Sequence, residues 1–290
     1  MLARVAVTDA IIPVAGLGTR LLPATRSQPK EMLPVLDKPV VQYVVEELVG
    51  CGISRVLFVT GRRKRAIEDH FDADPELGSE PLIDPRTGLQ ILYTRQATPA
   101  GLGDAIRYGE GLAATEGVVV ALGDAIIESP RAPAITKRLI DVFESEAESE
   151  SEAVCAVVAV QEVSVEAVSR YGIVAGVERD DGVIDVSRVF EKPNSRTAPS
   201  RWAVAARYVL SPGVMAELRH TEPDSTGEVQ VADALNALLA RGERVLAVPL
   251  AAGERRHDIG TVESYVTTFV HYALRDPRLA PQVRALLADA

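Results

Sequence analysis

The chain has 290 residues, 47% of them hydrophobic and 25% charged, with a formal net charge of -10. That is enough chain to bury a sizeable α/β core, and the composition is that of a soluble globular protein. The acidic balance argues against a general nucleic-acid or anionic-membrane surface, so polyanionic ligands would have to be collected by local cations and metal ions. Cys51 and Cys155 lie far apart and form no CxxC. A disulfide framework is therefore not expected, and a reducing cytoplasm fits. The N-terminus carries no basic stretch leading into a long apolar run, and no apolar run has the length of a membrane span. A soluble, intracellular protein is expected.

In chain order, Ala10 to Val14 reads as a buried strand entering a glycine loop. Val40 to Val49 is helix-like, Arg55 to Thr60 is β-rich and stops at Gly61, and Arg63 to Phe71 suits a helix. Leu89 to Arg95 reads as a strand, Leu102 to Ala114 as a helix, and Gly117 to Leu122 as a strand ending at Gly123. Alternation of this kind implies parallel strands with crossover helices and ligands at the strands' carboxyl ends. Ser145 to Glu152 is acidic and reads as a solvated helix end or loop. Strand-like segments follow at Ala153 to Val160, Gly172 to Val177, Val183 to Phe190 and Trp202 to Leu210. Helical patterns return at Gly213 to Arg219, Val229 to Arg241 and from Val262 onward, with a strand at Arg244 to Leu250. The fold class is α/β: a Rossmann-like, three-layer, mixed and mainly parallel sheet flanked by helices, with a β-rich portion. No Pro/Gly linker divides it, so one domain is expected over 1–290.

The chemistry concentrates first in Ala15-Gly16-Leu17-Gly18-Thr19-Arg20, directly after the first strand. Glycines let backbone N–H groups approach phosphate oxygens. A dinucleotide fingerprint would place a third glycine at Leu21, and a P-loop would end in Gly-Lys-Ser/Thr; neither is present. Arg20 and then Lys30, within Pro29-Lys30-Glu31-Met32-Leu33-Pro34, supply cations suited to a triphosphate. A glycine pair alone would be an ordinary tight turn.

Gln96 and Gly101 follow the third strand, and an amide with exposed backbone groups can read a pyrimidine edge. Asp124, just past a buried strand, is placed to hold a metal, although Gly-Asp is also common in turns. Asp258, before a helix, is its candidate partner, and two carboxylates are sufficient protein ligands for Mg²⁺. His257 has no evident partner, and with four histidines in the chain a His-based metal site is not expected. Glu191 could accept sugar hydroxyls and Lys192 could bind a sugar phosphate, with Gly172 letting the sugar approach; an ordinary surface ion pair is the alternative. Arg207 alternates with apolar residues and reads as structural.

The run IIPVAGLGTRLLPATRSQPKEMLPVLDKP resembles the signature of bacterial UTP–glucose-1-phosphate uridylyltransferases, within the sugar nucleotidyltransferases. TGRRKRAIEDHFD, PAGLGDAI, EKP, ARYVLSP, GEVQVADAL and HDIG extend the resemblance over nearly the whole chain. It implies an enzyme that joins UTP to glucose 1-phosphate with Mg²⁺, releasing pyrophosphate. Residues 1–125 would mainly bind nucleotide, 153–260 sugar phosphate, and 261–290 would form C-terminal helices. Ala15, Gly16, Gly18, Thr19, Arg20 and Lys30 would embrace the triphosphate, Gln96 and Gly101 the base, and Gly172, Glu191 and Lys192 the hexose 1-phosphate. Arg20, Lys30 and Lys192 would be the catalytic cations, and Asp124 and Asp258 the metal ligands. A homo-oligomer, dimer or tetramer, is implied. Two features depart from the pattern: Asp104 stands where a histidine is frequent, and the stretch from Asp72 to Gly88 is short. A thymidylyltransferase, another sugar specificity, or a non-catalytic nucleotide-sugar-binding paralogue are the competing readings; PKEMLP in place of a KQLLP form favours UTP.

Overall fold

The computed structural model describes residues 6–72, 82–83, 85–112, 117–147 and 154–289. The first half runs β1 (Asp9–Pro13), β2 (Pro34–Val35), β3 (Lys38–Pro39), α1 (Val40–Gly50), β4 (Arg55–Thr60), α2 (Arg65–Phe71), β5 (Gln90–Arg95), α3 (Leu102–Arg107), β6 (Val118–Ala121) and β7 (Ala125–Glu128). Then come α4 (Ile135–Ala147), β8 (Val154–Glu162), β9 (Ile173–Glu178), β10 (Ile184–Phe190), β11 (Trp202–Leu210), α5 (Pro212–Leu218), α6 (Val231–Ala240), β12 (Arg244–Pro249), β13 (Arg255–Asp258), α7 (Val262–Ala273) and α8 (Ala280–Ala288).

Nine strands form one sheet in the order β5-β4-β1-β6-β11-β8-β12-β10-β9. The pairings from β5 to β6 are parallel, as is β8 with β12. Only β10 and β11 run against the other strands. The sheet is thus mixed and mainly parallel, as expected. Strand alternation makes both faces apolar. Ile11, Val118 and Val120 pack with Ile106 of α3, Leu218 of α5 and Leu235 of α6. Ala10, Ile12 and Val119 pack with Val44 of α1, Ile67 of α2 and Leu139 of α4 on the other face. Two apolar layers about one sheet make the three-layer architecture.

The structure shifts several expected bounds. The first strand begins at Asp9 and ends at Pro13, and the helix expected from Val229 begins at Val231. Val229 is held outside the helix because its N–H donates to Ala100 O at 2.8 Å and its carbonyl accepts from Gly103 N at 2.9 Å. The helix expected to Ala114 ends at Arg107 and continues as turns. Gly109 presses on β1, where a Cβ would come within 2.2 Å of Ile11 Cδ1. The expected C-terminal helices are α7 and α8, separated around Pro277, whose ring disfavours helical backbone at Asp276. The acidic stretch is the end of α4 through Ala147; its remainder, and most of the short 72–88 segment, lie outside the described residues.

Two short strands absent from the sequence reading, β7 and β13, pair antiparallel with Asp258 opposite Ala125 and His257 opposite Ile126. This ladder is fastened by Arg207 of β11. Its fully buried guanidinium donates to Glu47 of α1 at 2.7 and 3.1 Å and to Ala125 O at 3.0 Å. The structural reading of Arg207 holds. Arg207→Ala leaves Glu47 buried without its counter-charge, and the expected loss is about 3–5 kcal/mol of stability. Urea unfolding followed by circular dichroism measures it; a loss below ~1 kcal/mol contradicts this role.

Candidate active site

Two neighbouring cavities open at the carboxyl ends of β1 and β6 and share Asp124, Leu102, Leu122 and Glu228 in their common wall. The first, of about 270 Å³, is lined by Ala15, Gly16, Lys30, Gln96 and Gly101. The second, of about 330 Å³, is lined by Gly172, Glu191, Lys192, Arg256 and Asp258. Five of the residues expected to bind nucleotide, and the three expected to bind sugar phosphate, thus fall into separate, adjoining spaces. Gly18, Thr19 and Arg20 line neither; Thr19 and Arg20 lie exposed on the loop beyond Gly16.

The loop after β1 is fixed by Val14 N–H donating to Val59 O at 2.9 Å and by the Thr25 hydroxyl donating to Gly18 O at 2.7 Å. Lys30, on a single 3-10 turn, reaches back over Gly16, and its ammonium ion-pairs with Asp124. Beneath it, Glu31 pairs with Lys64 at 2.7 Å, both almost fully buried. Burial works against the Lys30 charge, but Asp124, Glu31 and Asp258 outweigh it and raise its pKa above the ordinary lysine value.

In the wall of the first cavity, Gly101 has φ 94°, and a Cβ there would approach Val229 N and O to 2.8 Å, so only glycine fits. Gln96 is buried, and its Nε2 donates to Asp104, which Arg107 also engages. Asp104 therefore orients the Gln96 amide. The amide oxygen is left as the group to meet a ligand, because a carboxylate can only accept.

Asp124 and Asp258 meet through the β7–β13 ladder: Asp258 pairs with Ala125, and Ile259 N–H donates to Asp124 O at 2.8 Å. Partial burial pushes both carboxyls up. The Lys30 charge and hydrogen bond overcome this at Asp124 and hold it below the usual carboxylate range. At Asp258 burial prevails and the Asp124 charge adds to it, so its pKa is raised despite Arg256, Lys30 and Arg20. Two carboxylates with no imidazole or thiolate among the lining residues form an all-oxygen donor set, which suits a hard cation such as Mg²⁺.

Lys192 has φ 41°, an uncommon conformation for a residue with a Cβ, and its N–H donates to Tyr171 O at 3.2 Å. The half-exposed ammonium pairs with Glu191 at 2.7 Å. Gly172 leaves room beside them, with Glu191 Oε2 3.5 Å from where a Cβ would sit. Sequence reasoning missed Arg256. Its guanidinium is buried, lies 4.5 Å from the Tyr171 ring centroid, donates to Val204 O at 2.8 Å and stands 3.6 Å from Asp258. Its Nε has no hydrogen-bond partner among the described residues. The available signal was two-residue spacing from Asp258, which puts both on one face of a strand.

His257 does have partners: its Nε2 lies 3.4 Å from Glu128 Oε2, and His271 Nε2 lies 2.9 Å from the same oxygen. His271 comes from α7, and nothing in the spacing of residues signals that α7 packs against β13.

A family profile for nucleotidyl transferases matches residues 9–274. The chain is 38% identical over 294 residues to the UTP–glucose-1-phosphate uridylyltransferase 2 of Streptococcus pyogenes serotype M3, covering 97% of this chain and 95% of that one. It is 39% identical over 292 residues to the uridylyltransferase of the same name from Staphylococcus epidermidis, covering 97% of both. Among solved structures, a UDP-glucose pyrophosphorylase complexed with UDP-glucose superimposes with a TM-score of 0.82 at 36% identity, covering 92% of this chain and 98% of that one. A UTP-bound enzyme from Acinetobacter baumannii gives a TM-score of 0.84 at 30% identity, covering 97% and 99%. With matching fold, matching motifs and full-length relatives, this chain belongs to the nucleotidyl transferase family.

Proposed function

We propose that the chain forms UDP-glucose and pyrophosphate from UTP and glucose 1-phosphate, with Mg²⁺ as cofactor. The observation that carries this reading is the pair of cavities with Asp124 in their shared wall. One ligand can lie in each cavity with its phosphates directed at the same carboxylate. Residues 1–125 then bind mainly nucleotide and 153–260 mainly sugar phosphate, within one domain. Solved relatives bind UDP-glucose and UTP, which are ligands of the kinds this reading assigns to the two spaces.

In this reading an oxygen of the sugar phosphate attacks the α-phosphorus in line, and the bond to the β-phosphate oxygen breaks as pyrophosphate leaves. The nucleophile is already an anion, so no general base is required. The obstacle is repulsion between two polyanions. Backbone N–H groups from Ala15 to Thr19, with Arg20 and Lys30, hold the triphosphate; Gln96 and Gly101 hold the base. Lys192 and Glu191, beside Gly172, hold the hexose 1-phosphate in line, and Arg256 adds positive charge at its phosphate. Positioning and charge neutralisation are then the whole of the catalysis. Mg²⁺, when held by Asp124 and Asp258, supplies further neutralisation of the phosphate oxygens. Homo-oligomerisation is part of the same proposal, supported by exposed Val266, Leu286 and Leu287 on α7 and α8. So is a cytoplasmic setting, supported by two buried, free cysteines. No helix among the described residues is long and apolar enough to cross a membrane.

Pyrophosphate release over a matrix of nucleotides and sugar 1-phosphates tests the proposal. UTP with glucose 1-phosphate is expected to give the highest kcat/KM. A clear dTTP preference, or no release with any pair, overturns it.

Lys192→Ala should raise KM for glucose 1-phosphate and lower kcat, with a smaller effect on UTP. The lost charge-assisted contact corresponds to about 1.5–3 kcal/mol in kcat/KM. Unchanged steady-state constants for both substrates would remove Lys192 from the site.

Asp124→Asn and Asp258→Asn should each stay folded by thermal melting and lose most activity. The double variant should lose little more, because the two act as a unit. EDTA should silence the wild type and added Mg²⁺ alone should restore it. Wild-type rates in folded Asp258→Asn at limiting Mg²⁺ would end the shared-metal assignment.

A further inference from the structure

The β7–β13 ladder has a second face. Alternation along β13 turns Arg256 and Asp258 toward the substrate cavities and Arg255 and His257 the other way. The register sets Arg255 opposite Glu128 and His257 opposite Ile126, so Glu128 and His257 share that second face. His271, in the last turns of α7, packs against it, its ring centroid 4.7 Å from that of His257. One ligand atom from each of Glu128, His257 and His271 can be chosen so that all lie within 4.8 Å of one another. Donor atoms around a tetrahedral zinc ion with bonds of ~2.0–2.2 Å stand about 3.3–3.6 Å apart. The two imidazole-to-carboxylate separations, 3.4 and 2.9 Å, bracket the lower end of that range.

We propose that Glu128, His257 and His271 bind one divalent transition-metal ion of the zinc class, at a site separate from the Asp124–Asp258 pair. Two imidazoles and a carboxylate suit Zn²⁺, Co²⁺ or Ni²⁺ and disfavour Mg²⁺, which prefers oxygen donors. The cluster also contacts a cation of the protein's own. Arg275 contacts Glu128 Oε1, and its Nη1 lies 3.0 Å from His271 Nε2. Its side chain is 60% exposed, so it can swing into solvent when a metal ion takes its place. An ion here ties β7, β13 and α7 together. Occupancy therefore braces the ladder whose other face presents Asp258.

The test titrates Zn²⁺ calorimetrically into the full chain at fixed Mg²⁺, with Co²⁺ as the spectroscopic probe. The wild type should bind one equivalent, show the intense visible bands of tetrahedral cobalt, lose them on adding Zn²⁺, and melt at higher temperature when loaded. His271→Ala should weaken Zn²⁺ binding by more than the roughly 10–100-fold that losing an outer-shell partner costs, with pyrophosphate release in Mg²⁺ alone unchanged. Arg275→Ala should bind Zn²⁺ more tightly than wild type, because the competing guanidinium is gone; this arm decides the matter if His271→Ala does not fold. Asp124→Asn should bind Zn²⁺ as the wild type does. Wild-type affinity in His271→Ala, weaker or equal binding in Arg275→Ala, or cobalt bands lost in Asp124→Asn would each overturn the proposal.

Discussion

Two carboxylates brought to the head of one short ladder impose the constraint around which the cavity wall is built. Asp124 and Asp258 repel each other at a site that partly excludes water, where like charges are costly. The protein answers unequally. Lys30 binds Asp124 and keeps it ionised, while Asp258, with Arg256 at 3.6 Å and Arg20 farther out, retains a raised pKa. An added cation between them relieves repulsion at both, which is the physical reason a metal suits the pair in the proposed reaction. The same balance explains how a chain of net charge -10 can serve polyanions. The cations are few and local, and Lys30, Lys192 and Arg256 are each aimed by a neighbouring acid.

That aiming depends on buried ion pairs outside the cavities. Burial pushes Glu31 up and Lys64 down, each toward its neutral form, and their mutual attraction only partly offsets this. Such a pair returns little net stability. Its effect is geometric: it fixes the 3-10 turn that carries Lys30, one residue away. Arg207 and Glu47 do the same for the other partner. By tying β11 and α1 to Ala125 O they hold the first residue of β7, and with it the direction of Asp124. Removing either pair should therefore disturb the relation between Lys30 and Asp124 even where no catalytic atom is touched.

The central sheet was legible because its strands are β-branched runs buried on both faces, as in VVVA of β6 and VCAVVAVQE of β8. The loop after β1 was legible as a turn because its glycines permit sharp backbone bends, whereas its part in holding a triphosphate belongs to the proposal. What escaped was local structure whose cause is non-local. RRHD of β13 has no apolar residue and little strand propensity; it is extended because β7 pairs with it across more than a hundred residues of chain. Arg256 and the His257–His271–Glu128 cluster escaped with it, since both depend on which face of that strand each side chain takes. Asp258 could be named from its motif, but its meeting with Asp124 is a product of the ladder. The break between α7 and α8 was different in kind: Asp276-Pro277 carried the signal in plain view.

Asp104 shows how a departure from a family pattern can keep the chemistry. A histidine at this position could offer Gln96 either a donor or an acceptor, depending on its tautomer. An ionised aspartate can only accept, so Gln96 must turn its Nε2 inward and present its oxygen. If Gln96 reads the base as proposed, that oxygen accepts from the N3–H of uracil or thymine and meets only a lone pair on N3 of cytosine. A buried acceptor facing a lone pair loses its hydrogen bond and adds repulsion, which is the costly kind of mismatch. On that proposal the Gln96–Asp104 pair would discriminate between pyrimidines by hydrogen-bond polarity. It cannot separate UTP from dTTP, whose N3 groups are alike. That choice has to be made at the 5-methyl group or the 2′-hydroxyl, by contacts on the rim of the cavity that Gly101 helps to line.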